Sequence, residues 1–145
     1  TVIWNPSPMN EKITDSAIGM CDYIIVNKTE GRAITGKEEP EDILKALLKK
    51  YPHTKAVLTL EKNGSIYSDG TDTVKQPSFK ADPVDTTGAG DTFTGYFAAM
   101  ISKGTSIEET LKIASAAAAL ATEKQGAASS VPVLAEVIKK TEENI

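Results

Sequence analysis

At 145 residues and 40% hydrophobic content, the chain is long enough to bury a core and reads as one domain. It holds no apolar run of membrane-spanning length, and its start has neither the basic residues nor the apolar core of a secretory signal. A net charge of -4 spread without a basic face argues against a nucleic-acid partner and for small molecules.

One cysteine, Cys21, excludes an internal disulfide, and with His53 as the single histidine there is no Cys/His metal site to propose. This usage fits the cytoplasm. The chain opens at Thr1 directly on an apolar segment, and we expect a fragment of a longer protein.

Residues 1–4 are predicted as a buried strand, ended by Asn5-Pro6-Ser7-Pro8 because proline removes a donor and restricts the residue before it. A short helix through Ile13 and Ile18 leads to a strand over 22–26. That strand is apolar through its middle, as a parallel strand covered on both faces requires. Cys21, just before it, reads as a small core residue. Asn27-Lys28-Thr29-Glu30 follows at the strand's carboxyl end, where open α/β sheets bind ligands. A capping Asn with Glu three residues on explains the same pattern equally well.

Ile43, Leu44, Leu47, Leu48 and Tyr51 recur at helical spacing over 41–51, with Lys45, Lys49 and Lys50 on the solvated face; Pro52 ends the helix and His53 sits in a polar turn. Strands are expected over 56–60, 65–68 and 73–76. The intervening Glu61-Lys62-Asn63-Gly64 and Asp69-Gly70 are too short for crossovers, so these strands form hairpins appended to a parallel core.

The chain is organised around Val84-Asp85-Thr86-Thr87-Gly88-Ala89-Gly90-Asp91-Thr92-Phe93. If the segment from Asp91 is helical, the amides of Gly88, Ala89 and Gly90 lie unpaired at its positive end, a ready phosphate site. Asp91 beside it is placed to take a proton from a hydroxyl attacking phosphorus. Phe93, Tyr96, Phe97 and Met100 follow at core spacing, and the helix ends near Gly104. Ser106-Ile107-Glu108-Glu109 is a capping box opening an alanine-rich helix, which contains Ala114, Ala116 to Ala119 and Ala121. Gln125-Gly126-Ala127-Ala128-Ser129-Ser130-Val131-Pro132 forms turns, and a last helix through Leu134, Val137 and Ile138 is expected to close the fold.

Asp85-Thr86-Thr87-Gly88-Ala89-Gly90-Asp91 resembles the C-terminal signature of the ribokinase-like (PfkB) carbohydrate kinases. Asn5-Pro6-Ser7-Pro8 is similar to that family's Asn-Pro-Ala-Pro, and Asn27 with Glu30 to its Asn-x-x-Glu. Thr59 and Gly64 resemble its Thr-Leu-Gly-x-x-Gly turn, with Glu61 standing where the first glycine is common. Residues 126–132 resemble its Gly-Ala-x-x-Ser-x-Pro loop.

The resemblance implies a three-layer α/β/α fold with a mostly parallel sheet and an antiparallel hairpin edge. It covers the C-terminal half, with the sugar-binding N-terminal part and lid absent. It implies ATP-dependent phosphorylation of a sugar hydroxyl, with Asp91 as base and Gly88, Ala89 and Gly90 as the anion hole. ATP would be held by Asn27, Glu30, Thr59, Gly64, Thr87, Gly88 and Gly90, and Mg2+ by Asn27 and Glu30 through water.

In potassium-activated members a monovalent cation would be held by Asp85 and Ser130 side chains and main-chain oxygens of Thr87, Ala121, Lys124 and Gly126, though a loop joining two helices accounts for these residues equally. The alanine-rich helix would border the adenine pocket, and tight helix packing explains it as well. Two other readings stay open: a non-catalytic nucleotide-binding or assembly module, pairing with another chain through its open sheet edge as in a homodimer, and a nucleoside or vitamin kinase of the same superfamily. A fragment of this kind is expected to bind ATP weakly and transfer little.

Overall fold

The structure, a computed structural model, describes residues 1–8 and 15–143. The chain is built as two compact units, Thr1–Lys75 and Gln76–Ile145. Among the described residues no helix is long and apolar enough to cross a membrane.

In the first unit β1 (Ile3–Trp4), β2 (Tyr23–Asn27), β3 (Lys55–Thr59), β4 (Ser65–Ser68) and β5 (Thr73–Gln76) stand in that order in one sheet. Ile3 pairs with Tyr23 and Ile24 with Ala56 in parallel, whereas Val57 faces Tyr67 in an antiparallel pair. The reversal follows from chain length, because the few residues between β3 and β4 can close a hairpin but not a crossover. At the second turn the Asp69 carboxylate accepts the amides of Thr71 and Asp72, and Gly70 takes a φ of 94°.

Ile24 and Val26 of β2 and Ala56 and Leu58 of β3 pack on Ile43, Leu44 and Leu47 of α3 (Pro40–Lys50) and Ile18 of α1 (Asp15–Gly19). Ile25, one residue out of phase and so on the other face, is only 1% exposed, as expected for a strand covered on both faces. Ile13, the other anchor of the expected first helix, lies outside the described residues. Cys21 is buried and donates to the Ala17 carbonyl, while His53 is exposed. Lys50 leaves α3 to meet Asp15 at 2.8 Å, on the carboxylate oxygen that also accepts the Tyr51 hydroxyl.

Helix α2 (Lys28–Thr35) is the helix that the capping reading of Asn27 and Glu30 required, although its residues are mostly polar and interrupted by glycine. Gly31 is the reason it fits: a Cβ there would lie 2.7 Å from Cγ2 of Ile43, so only a bare backbone can approach α3 so closely.

The second unit contains α4 (Ala89–Ser102), α5 (Ile107–Thr122) and α6 (Leu134–Glu143). Phe93, Phe97 and Met100 are buried as expected. Ala114, Ala116, Ala117 and Ala121 are buried on α5, which packs against α4. Of the proposed capping box, the Ser106 hydroxyl accepts the Glu109 amide at 3.3 Å. The last helix departs from expectation: Val137 is buried, but Leu134 and Ile138 are 40% and 37% exposed, so one residue of the three carries its packing.

The Thr110 hydroxyl is buried on α5 with no hydrogen-bond partner among the described residues. Burying an unpaired hydroxyl costs on the order of 1–3 kcal/mol, and valine has the same shape without it. Thr110→Val should therefore raise stability by about 1 kcal/mol, read as a higher urea midpoint at unchanged slope.

Candidate active site

The signature places a turn directly before α4. Gly88 is the residue preceding the helix, with φ 78° in the left-handed region, and its carbonyl accepts the Thr92 amide at 2.8 Å. A Cβ on Gly88 would stand 3.1 Å from Cβ and 3.2 Å from Cα of Ala127, so the turn requires glycine for both its conformation and its neighbour.

Among the described residues the amides of Gly88 and Gly90 donate to no protein acceptor. The Ala89 amide, expected to be open, instead donates to the Thr86 carbonyl at 3.2 Å, because the chain enters the helix through a tight turn. Nothing lies within 4 Å of where a Cβ on Gly90 would be, so the space on that side of the residue is open. Asp91 is exposed on the first helical turn.

Gly88, Asp91, Tyr96 and Ala99 line one side of a cleft of about 480 Å³, with Ala127, Ala128 and Val131 also in its wall. Tyr96, expected in the core, is half-buried here and donates its hydroxyl to the Pro132 carbonyl at 2.6 Å. The cleft is mainly apolar, with Asp91 and Gly88, whose amide is open, as the chemistry of its wall. Its apolar walls were not legible in the sequence, since residues 127–131 are distant in the chain.

Asp85 is joined to that distant loop. Its Oδ1 accepts the Thr87 amide at 2.9 Å and its Oδ2 the Gly126 amide at 3.0 Å, 41 residues away. The Thr122 carbonyl accepts the amides of both Val84 and Asp85. Ser130 is wholly buried and donates to the Ala127 carbonyl at 2.7 Å, leaving hydroxyl lone pairs free. The Thr87 hydroxyl, the Thr87 amide and the Gly126 amide hold the Asp85 carboxyl below its ordinary range.

A carboxyl with a lowered folded-state value contributes its stabilisation above the unfolded value of roughly 3.9 and loses it as pH falls through the folded value. An NMR titration of the Gly126 amide should therefore show no step between neutral pH and about 5, and a step below the unfolded carboxylate value. A step above pH 5 would contradict the assignment.

At the sheet, Asn27 and Thr59 are partners in the parallel pairing of β2 with β3, both at the carboxyl ends of their strands. The Asn27 side chain accepts the Glu30 amide at 2.8 Å, and the Glu30 carboxylate accepts the Asn27 amide at 2.9 Å. This reciprocal cap starts α2, so the capping explanation of Asn27 and Glu30 holds. Glu30 is 5% exposed, and its carboxylate fixes the Asn27 backbone.

Asn27 and Thr59 line a polar cleft of about 310 Å³ with Lys28, Arg32, Glu61 and Asn63. Sequence reasoning missed Lys28 and Arg32, although their four-residue spacing puts both cations on one face of α2. Gly64 makes the turn rather than the cleft wall: its φ of 86° with ψ of -138° suits glycine alone, and its carbonyl accepts the Leu60 amide. Glu61 has a φ of 50°, a left-handed value unusual for this residue type.

The first unit is thus a mostly parallel sheet with a polar cleft outside the carboxyl ends of adjacent strands, the place where open α/β proteins take their ligands. The chain belongs to the pfkB family of carbohydrate kinases, which matches residues 1–134. It is 38% identical over 143 residues to a ribokinase of Lactococcus lactis, covering 98% of this chain and 45% of that one.

Among solved structures it is similar to Arabidopsis thaliana ribokinase complexed with ribose and ATP, with a TM-score of 0.89 and 34% identity, over 97% of this chain and 47% of that one. Thermotoga maritima ribokinase gives a TM-score of 0.89 at 30% identity, covering 97% and 48%. The fold is therefore of the ribokinase-like α/β/α class, as the signature implied, and the chain spans about half the length of the relatives it matches.

Proposed function

We propose that this chain is the C-terminal, nucleotide-binding and catalytic part of a kinase that phosphorylates a sugar hydroxyl with ATP. The observation carrying this reading is the start of α4, where Gly88 and Gly90, whose amides are open, adjoin Asp91, and where Gly88 and Asp91 line one cleft. The ligands of the Arabidopsis relative, ribose and ATP, support the same substrate classes.

The donor set fits a phosphate. Two open amides at a helix N-terminus complement negative charge, and the space beside Gly90 leaves room for it. ATP supplies the phosphoryl group. Asp91 accepts the proton of the attacking sugar hydroxyl, and the Gly88 and Gly90 amides stabilise charge on the group being transferred, with Ala89 helping only if its bond to Thr86 opens. Thr87, in the turn before the helix, and separately Asn27 and Thr59 at the strand ends are assigned to nucleotide contacts, whereas Gly64 shapes the turn after Thr59. Glu30 acts through Asn27, which would meet Mg2+ across water.

The oxygen-only set of Asp85, Ser130 and the main-chain oxygens of Thr87, Ala121, Lys124 and Gly126 fits a hard monovalent cation such as K+. The bond from Gly126 to Asp85 supports this assignment by drawing the two stretches together.

Calorimetric titration with Mg·ATP, followed by transfer assays with ribose, fructose and adenosine, tests the reading. Binding without transfer is the expected result, since the family resemblance implies that the sugar-choosing residues lie in an N-terminal part outside the half matched here. Transfer to a sugar would mean that this chain completes an acceptor site unaided. Absence of binding would overturn the nucleotide assignment.

A further inference from the structure

The cleft beyond β2 and β3 combines charges of both signs. Lys28 and Arg32 line it, and so does Glu61. Arg32 is shared with Glu38, at 2.9 Å, whereas Glu61 is exposed and takes part in no ion pair among the described residues. The backbone beneath Glu61 is left-handed, a conformation glycine would adopt without strain. A carboxylate is therefore held at the cleft wall by a turn that would be more relaxed without any side chain.

We propose that Glu61 is a charge-selectivity residue, biasing this cleft toward a nucleoside triphosphate complexed with a divalent cation and against the metal-free form. The inference rests on the nucleotide reading above. Coulomb energy scales with ligand charge, and metal-free ATP carries about twice the negative charge of its magnesium complex. Lys28 and Arg32 attract both forms and by themselves favour the more highly charged one. Glu61 acts in the opposite sense, so its repulsion falls most heavily on the metal-free nucleotide. Because the group is exposed, the effect is screened and salt-dependent.

The test is calorimetric titration of the chain and its Glu61→Gln variant with ATP, in excess Mg2+ and again in EDTA. Glutamine keeps the size and removes the charge. If the effect is coulombic, the free-energy gain doubles with ligand charge, so the gain in affinity for metal-free ATP is the square of that for Mg·ATP. We expect about threefold tighter Mg·ATP and about tenfold tighter metal-free ATP, both gains shrinking at high salt.

Glu61→Lys should move both affinities further in the same direction, which separates charge from any local rearrangement of the turn. Equal gains for the two forms, no gain, or weaker Mg·ATP binding would overturn the selectivity role while leaving the nucleotide site standing. If the unaltered chain binds neither form, the nucleotide reading itself falls and this inference with it.

Discussion

In the complete kinase, Asp91→Asn is expected to lower kcat by about 10²–10⁴-fold while nucleotide affinity stays within a few-fold, the range associated with loss of a general base. Asparagine preserves the size and exposed position of the side chain but cannot take a proton from the attacking hydroxyl. It also removes a negative charge from the first turn of α4, where a carboxylate stabilises the helix by roughly 0.3–1 kcal/mol, so the change in stability is small. Steady-state kinetics, nucleotide titration and a thermal melt separate these effects. If turnover and nucleotide affinity fell together by the same factor, Asp91 would be a phosphate or metal contact and the base assignment would be wrong.

Gly88→Ala is expected to destabilise the second unit and abolish phosphate binding, whereas Gly90→Ala is expected to impair binding without destabilising it. A left-handed non-glycine residue costs about 1–2 kcal/mol. At Gly88 the added carbon would also press on the Ala127 main chain, 3.2 Å from its Cα, and backbone cannot yield as a flexible side chain does. Gly90 is helical, and a Cβ there meets nothing within 4 Å. Replacing a helical glycine with alanine favours the helix by roughly 0.5–1 kcal/mol.

The carbon at Gly90 would nonetheless occupy the open space assigned to phosphate. Denaturant midpoints combined with Mg·ATP titrations read the two effects independently. A Gly90→Ala variant that binds nucleotide normally would remove the phosphate from this end of α4.

Much of this was legible in the sequence because its causes are local. The β3–β4 hairpin follows from a turn too short for any other connection, and the start of α4 from small residues placed ahead of aromatic ones at helical spacing. The reciprocal cap of Asn27 and Glu30 spans three residues and was visible as one of two explanations. Beyond its cap, the extent and place of helix α2 were not legible: its residues are mostly polar, and its place depends on Gly31 meeting Ile43 of a different helix.

The sequence by itself determined the family, the strand and turn order of the sheet, and the identity of the carboxylate beside the glycines, since each is written in neighbouring residues. Only the folded structure decided which amides remain open, because the Ala89 donor is taken by Thr86, three residues back, in a local turn whose closure spacing does not reveal. It likewise decided that Asp85 reaches Gly126 and that Lys28, Arg32 and Glu61 share a cleft. The links of Asp85 to Gly126 and of Glu61 to Lys28 and Arg32 join residues remote along the chain, and packing and hydrogen-bond geometry, rather than spacing, bring them within reach.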